Sequence, residues 1–184
     1  MDGLKSFTQL FDGYYIEKTE FKKAEFEFDG FKIIFDYNIN DSTESGTCQK
    51  FTRITTAFIA SNDYKFQVYE NNLISFFVKI FGIRTAEHFN LSVVKTIHEF
   101  EIKSLVNEKY LQKIIKGKKN MKFYISNQKG IWGQNLPKNE FELSFYSEKI
   151  IEDIAELKSL LDLFKETITH LVENHSIQPK TITF

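Results

Sequence analysis

The stretch "AEFEFDGFKIIFDY", Ala24 to Tyr37, constrains the fold more than any other part of the chain. Asp29-Gly30 suits a two-residue type I′ turn, which needs positive φ at both central positions. Folding about that turn sets Phe28 against Phe31, Phe26 against Ile33 and Ala24 against Phe35 on one side. The other side then opposes Glu27 to Lys32 and Lys23 to Asp36. A slip of one residue would turn every apolar side chain to the wrong face, so the segment predicts a hairpin of fixed register.

Further alternating segments extend this start. "FTRITTAFIASNDYKFQVYE" predicts two strands around a turn near Asn62-Asp63, giving a four-stranded antiparallel beginning. "HEFEIKS", "MKFYIS" and "EFELSFY" alternate as strands, and "NEKYLQKIIKG" reads as a helix closed by Gly117. At the N-terminus Leu4, Phe7, Phe11, Tyr14 and Tyr15 recur at helical spacing and predict a short amphipathic helix despite Gly13.

The last element is a long amphipathic helix. Ile150, Ile154, Leu157, Leu161, Phe164, Ile168 and Leu171 follow spacings of 4, 3, 4, 3, 4 and 3. Ser147 is the expected N-cap, with Glu148 in the first turn. Ile151, Leu160 and Val172 widen the stripe beyond a coiled-coil seam, which favours covering a sheet over pairing with a second copy. The expected class is α+β: antiparallel sheet from hairpins, a short apolar helix in the middle and the long C-terminal helix over the sheet. Two prolines and no low-complexity linker predict a single compact domain over 1–184, with 84–98 the place for any subdivision.

Function classes narrow by exclusion. The 24 Lys and Arg nearly balance 25 Asp and Glu, so no global field draws the chain to nucleic acid. A single cysteine, Cys48, leaves no intramolecular disulfide and no cysteine-based zinc site, which fits a reducing, cytoplasmic setting. "MDGLKSFTQLFDGYY" lacks the apolar core of a signal peptide, and no apolar run approaches the ~20 residues of a spanning helix. Nucleophile-elbow, Walker and dinucleotide fingerprints are missing, so no cofactor and no catalytic residue is expected from motifs.

The histidines do not make a site on spacing alone. His170 and His175 would point about 140° apart on a helix, and His98 faces away from Glu99 in a strand. His88 has no patterned partner. Glu152-Asp153 reads as part of the exposed side of the last helix, and "GIWG", Gly130 to Gly133, as a turn entering a strand.

Two segments remain as candidate surfaces. In "NNLISFFVKIFGIR" seven of the nine residues from Leu73 to Phe81 are apolar. On a helix, Leu73, Phe77, Ile80 and Phe81 would face the core, leaving Ile74, Phe76 and Val78 on flanks open to a protein partner or a second copy; a buried strand is the alternative. From Lys103 to Lys122 there are seven Lys against a single Glu, which marks Lys113, Lys116, Lys118, Lys119 and Lys122 as a patch for phosphate or lipid headgroups. The absence of arginine from that stretch argues against nucleic acid, since arginine supplies the forked contacts. A peripheral membrane surface built from 73–83 and Lys116 to Lys119 is the minority reading, because interfacial helices carry a more charged polar face.

In order, "KFQVYENNLISFFVKIFG", "FEIKSLVNEKYLQKII", "MKFYISNQKGIW" and "IIEDIAELKSLLDLFKETI" resemble in layout a group of bacterial proteins classified only as domains of unknown function. The resemblance runs from about Tyr64 to Val172 and brings no catalytic residues. It implies an intracellular, non-enzymatic domain. The expected function is therefore protein binding or scaffolding, with lipid binding as one alternative and an enzyme whose site assembles only in space as another.

Overall fold

A computed structural model describes residues 2–19, 21–40, 49–60, 66–69, 94–96, 121–129, 134–175 and 177–180. Helix α1 (Gly3–Leu10) leads into β1 (Tyr14–Glu17), β2 (Phe21–Phe28), β3 (Phe31–Asn40), β4 (Gln49–Ile59), β5 (Phe66–Tyr69), β6 (Val94–Thr96), β7 (Met121–Ser126) and β8 (Glu140–Ser147). Helix α2 (Ile154–His175) and the short β9 (Gln178–Pro179) follow. The fold is α+β, with α2 packed on an antiparallel sheet.

The hairpin register is the expected one: Phe28 opposes Phe31, Phe26 opposes Ile33 and Ala24 opposes Phe35. Asp29 and Gly30 both take positive φ, 49° and 80°, as the turn requires. Glu27 opposes Lys32 and Lys23 opposes Asp36 as expected, and the ion pairs also reach beyond these opposed positions. Lys23 and Lys32 both turn to Glu25, at 2.8 and 2.9 Å, while Asp36 engages Arg53 of β4. Glu27 is exposed, so the diagonal carboxylate of Glu25, nearer the sheet interior, collects both lysines.

Strand order corrects the four-stranded start. The sheet runs β1-β2-β3-β4-β8-β7-β5-β6, so β4 and β5 are not neighbours. β8 takes the free edge of β4 over Thr52 to Ile59, and β7 separates β8 from β5. Eight paired positions between β4 and β8 bury Ile54, Phe58, Leu143 and Phe145, an apolar match that the four residues of β5 cannot supply. β3 pairs with β4 only from Ile34 onward, and β9 occupies the remaining edge opposite Phe58 and Ile59. The chain after α2 thereby closes the notch beside the hairpin tip, held by an ion pair between Lys180 and Glu140.

The N-terminal helix ends sooner than its spacing suggests. Asp12 adopts φ 53°, the Gly13 amide donates to the Thr8 carbonyl at 2.9 Å, and Tyr14 and Tyr15 belong to β1. Gly13 is fixed by space: a Cβ there would lie 2.5 Å from the Phe26 ring and 2.8 Å from the Thr8 methyl. Gly13→Ala should cost about 1–3 kcal/mol by overpacking, read as a lower urea midpoint with an unchanged slope.

Asp2 caps α1 by accepting from the Lys5 amide at 3.2 Å, and the same carboxylate takes the Tyr15 hydroxyl at 2.9 Å and the Lys22 ammonium. Burial alone would raise the Asp2 pKa, but the bonds from Lys22, Lys5 and Tyr15 outweigh it and hold the group below its ordinary 3.8. A lowered carboxylate pKa contributes stability above the unfolded value, lost as pH falls through the folded one. Thermal melts should therefore show Asp2→Asn less stable than wild type at pH 6, the gap closing on acidification below about pH 4.

Alternation divides the sheet into two faces. Phe26, Phe35, Ile54, Phe58, Phe145 and Phe123 share the face that both helices cover, and all are buried. Phe7 of α1 meets Phe26 and Phe35 at ring separations of 5.1 and 5.4 Å, and Phe164 of α2 meets Phe123 edge-on at 5.7 Å. Leu157, Leu160, Leu161, Phe164, Ile168 and Leu171 are buried as expected, so the heptad stripe is spent on this chain's own sheet. Val172 is exposed, contrary to expectation. Ser147 is the last residue of β8 rather than a cap, since the Glu156 amide donates to Asp153 Oδ1 at 2.7 Å and α2 begins at Ile154. Glu152 and Asp153 consequently precede the helix instead of lining it.

Candidate functional site

The face turned away from the helices is where polar side chains gather. Register places Asp36, Arg53, Tyr146 and Lys122 in one row across β3, β4, β8 and β7. The adjacent row holds Ile34, Thr55, Ser144 and Tyr124. Neighbouring strands lie about 4.8 Å apart and same-face rows about 7 Å apart, so the two rows make one small patch. Strand alternation explains it: β7 and β8 put Phe123, Ile125, Leu143 and Phe145 toward the helices and the residues between them on this side.

Although polar, the second row is closed off from solvent. Ser144 is fully buried and Tyr124 is 7% exposed, with Ile34 and Thr55 buried beside them. Four buried side-chain N or O atoms lack a hydrogen-bond partner among the described residues, and three of them, Arg53 Nε, Tyr124 OH and Ser144 Oγ, sit here. The fourth, Thr56 Oγ1, lies on the helix-covered face. An unmet buried polar group costs about 1–3 kcal/mol, so three together at one place call for a partner.

The patch is a set of donors. Arg53 already gives Nη2 to Asp36 at 2.5 Å, which fixes the guanidinium plane and leaves Nε unused. Burial pushes the Tyr124 pKa up and Glu142 adds to that; Ser144 and Arg53 pull it back only in part. Ser144 is near enough to influence the phenol, yet neither hydroxyl makes a hydrogen bond of acceptable geometry. Burial and Glu148 likewise raise Tyr146, whose ring packs on Phe51 at 5.4 Å. Both phenols thus keep their protons at neutral pH and remain able to donate.

Of the residues singled out from sequence, Lys122 is the one the structure places at this patch, in the row of Arg53 and Tyr146. Ile74, Phe76, Val78, Lys113, Lys116, Lys118 and Lys119 lie outside the described residues, as do His88, His98, Cys48 and Gly130 to Gly133. His170 is half-buried on α2, and His175 is the last residue of that helix. Among the described residues no group of three or more His, Cys, Asp or Glu side chains could hold a metal ion, and no helix is long and apolar enough to cross a membrane. Arg53, Tyr124, Ser144 and Tyr146 were not legible as a site, because each sits singly at an alternate position of an ordinary strand pattern. Only the pairing of β4, β8 and β7 brings them together.

No family model, curated protein or solved structure matches the chain.

Proposed function

We propose that this protein is a non-enzymatic binding module whose recognition surface is the polar face of the sheet around Arg53, Tyr124, Ser144 and Tyr146. The buried Tyr124 and Ser144 hydroxyls, without hydrogen-bond partners among the described residues, carry this reading. Stability alone favours apolar or paired side chains at such positions, so donors kept free there have a use in binding. Binding fits the patch better than turnover, since Asp36, the carboxylate in its row, is engaged by Arg53. A reducing, cytoplasmic setting, argued from the single cysteine, belongs to the same reading, as does the layout shared with bacterial domains of unknown function.

The test is an amide-resolved NMR screen of the labelled protein against a library of small polar metabolites. Compounds that shift the Arg53, Tyr124, Ser144 and Tyr146 amides, and bind more weakly to Tyr124→Phe, support the assignment. A screen without hits, or with hits confined to other surfaces, contradicts it.

A further inference from the structure

We infer that the group recognised at this face is an oxyanion of the phosphate type, held by Arg53 Nε, Lys122 Nζ and the hydroxyls of Ser144 and Tyr124. This rests on the polar face being the binding surface and names the chemistry that fits it. Every unpartnered atom of the cluster is a donor or can act as one: a guanidinium N–H, a phenol and an aliphatic hydroxyl. A ligand group that only accepts hydrogen bonds satisfies all three at once, whereas a neutral amide or a cation leaves donors facing donors. Two cationic side chains lie within reach of the hydroxyls. Arg53 and Lys122 flank Tyr146 on neighbouring strands, about 10 Å apart at the backbone, within converging reach of two long side chains. Asp36 and Glu142 offset Arg53 and Lys122 in number, so the cluster is close to neutral overall and its donors, rather than net charge, select an oxyanion. Ser144 and Tyr124 are closed off from solvent while Arg53, Tyr146 and Lys122 of the neighbouring row are half-exposed, so a phosphate group reaches the two hydroxyls only when the side chains over them turn aside.

A phosphate group reaches such a site either free in solution or on a lipid headgroup, and two arms separate these sources. Inorganic phosphate is titrated into the labelled protein at constant ionic strength, with chloride as the reference anion. In parallel, the protein is sedimented with phosphatidylcholine vesicles with and without phosphatidic acid. Binding should weaken about tenfold in Lys122→Gln, Ser144→Ala and Tyr124→Phe, each loss being that of one hydrogen bond to a charged group. Lys129→Gln, an exposed control outside the patch, should bind as wild type. Phosphate binding with this pattern supports a soluble ligand, and vesicle binding with the same pattern supports a headgroup. Tyr124→Phe removes a single oxygen and keeps the ring, so it decides the question should Ser144→Ala fail to fold. Binding unchanged in the three variants, or absent in both arms, overturns the oxyanion assignment. If neutral molecules then still shift the same amides, the binding face stands without it; if nothing does, both fall.

Discussion

Phe164→Ala should lower the unfolding free energy by about 3–5 kcal/mol, the range for truncating a fully buried aromatic side chain. The residue is completely buried at the middle of α2 and meets the Phe123 ring of β7 edge-on, one contact between the helix and the far half of the sheet. Leu157, Leu161 and Ile168 surround the same stripe, and their helix limits how far the site can collapse around the void. Urea unfolding followed by far-UV circular dichroism checks this. Phe164→Leu, which keeps much of the volume, should lose clearly less. Equal losses for alanine and leucine would show that the ring contact, not the filled space, dominates.

Thr52→Val should cost about 2–4 kcal/mol, nearly as much, for a different reason. Thr52 is fully buried on β4, and its hydroxyl donates to the Lys149 carbonyl at 2.8 Å and accepts from the Ile151 amide at 2.9 Å. The segment between β8 and α2 is thereby tied down at two backbone groups, with the Tyr37 hydroxyl holding the Ile151 carbonyl as well. Valine has the same shape, leaves the Ile151 amide unpaired in the interior and removes the part-buried bond to the Lys149 carbonyl. Thr52→Ser keeps the hydroxyl and should recover most of the loss. Amide hydrogen exchange at Ile151 gives a local readout: protection should drop in the valine variant and return in the serine variant.

What could be read from the chain follows from how local the cause is. The β2-β3 register was legible because turn chemistry, apolar alternation and charge signs within fifteen residues from Lys23 to Tyr37 agree. The stripe of α2 was legible because its period is self-contained. The insertion of β8 and β7 between β4 and β5 was not, since strand alternation states which way side chains point and nothing about which strand lies alongside. The ends of elements were misplaced for a related reason. Ser147 and Asp153 are both good caps in isolation, and burial of Ser147 in β8 decides between them. The patch of Arg53, Lys122, Tyr124, Ser144 and Tyr146 depended on the same unseen pairing. Among its members only Lys122 carried a signal of its own, as the last of a run of lysines.

A crystal structure of the wild-type protein grown with phosphate shows what these donors hold. A tetrahedral group is expected within hydrogen-bond distance of Ser144 Oγ, Tyr124 OH and Arg53 Nε, with Lys122 turned toward it. A single water satisfying those atoms, or the two hydroxyls paired with each other over an otherwise filled face, would contradict it.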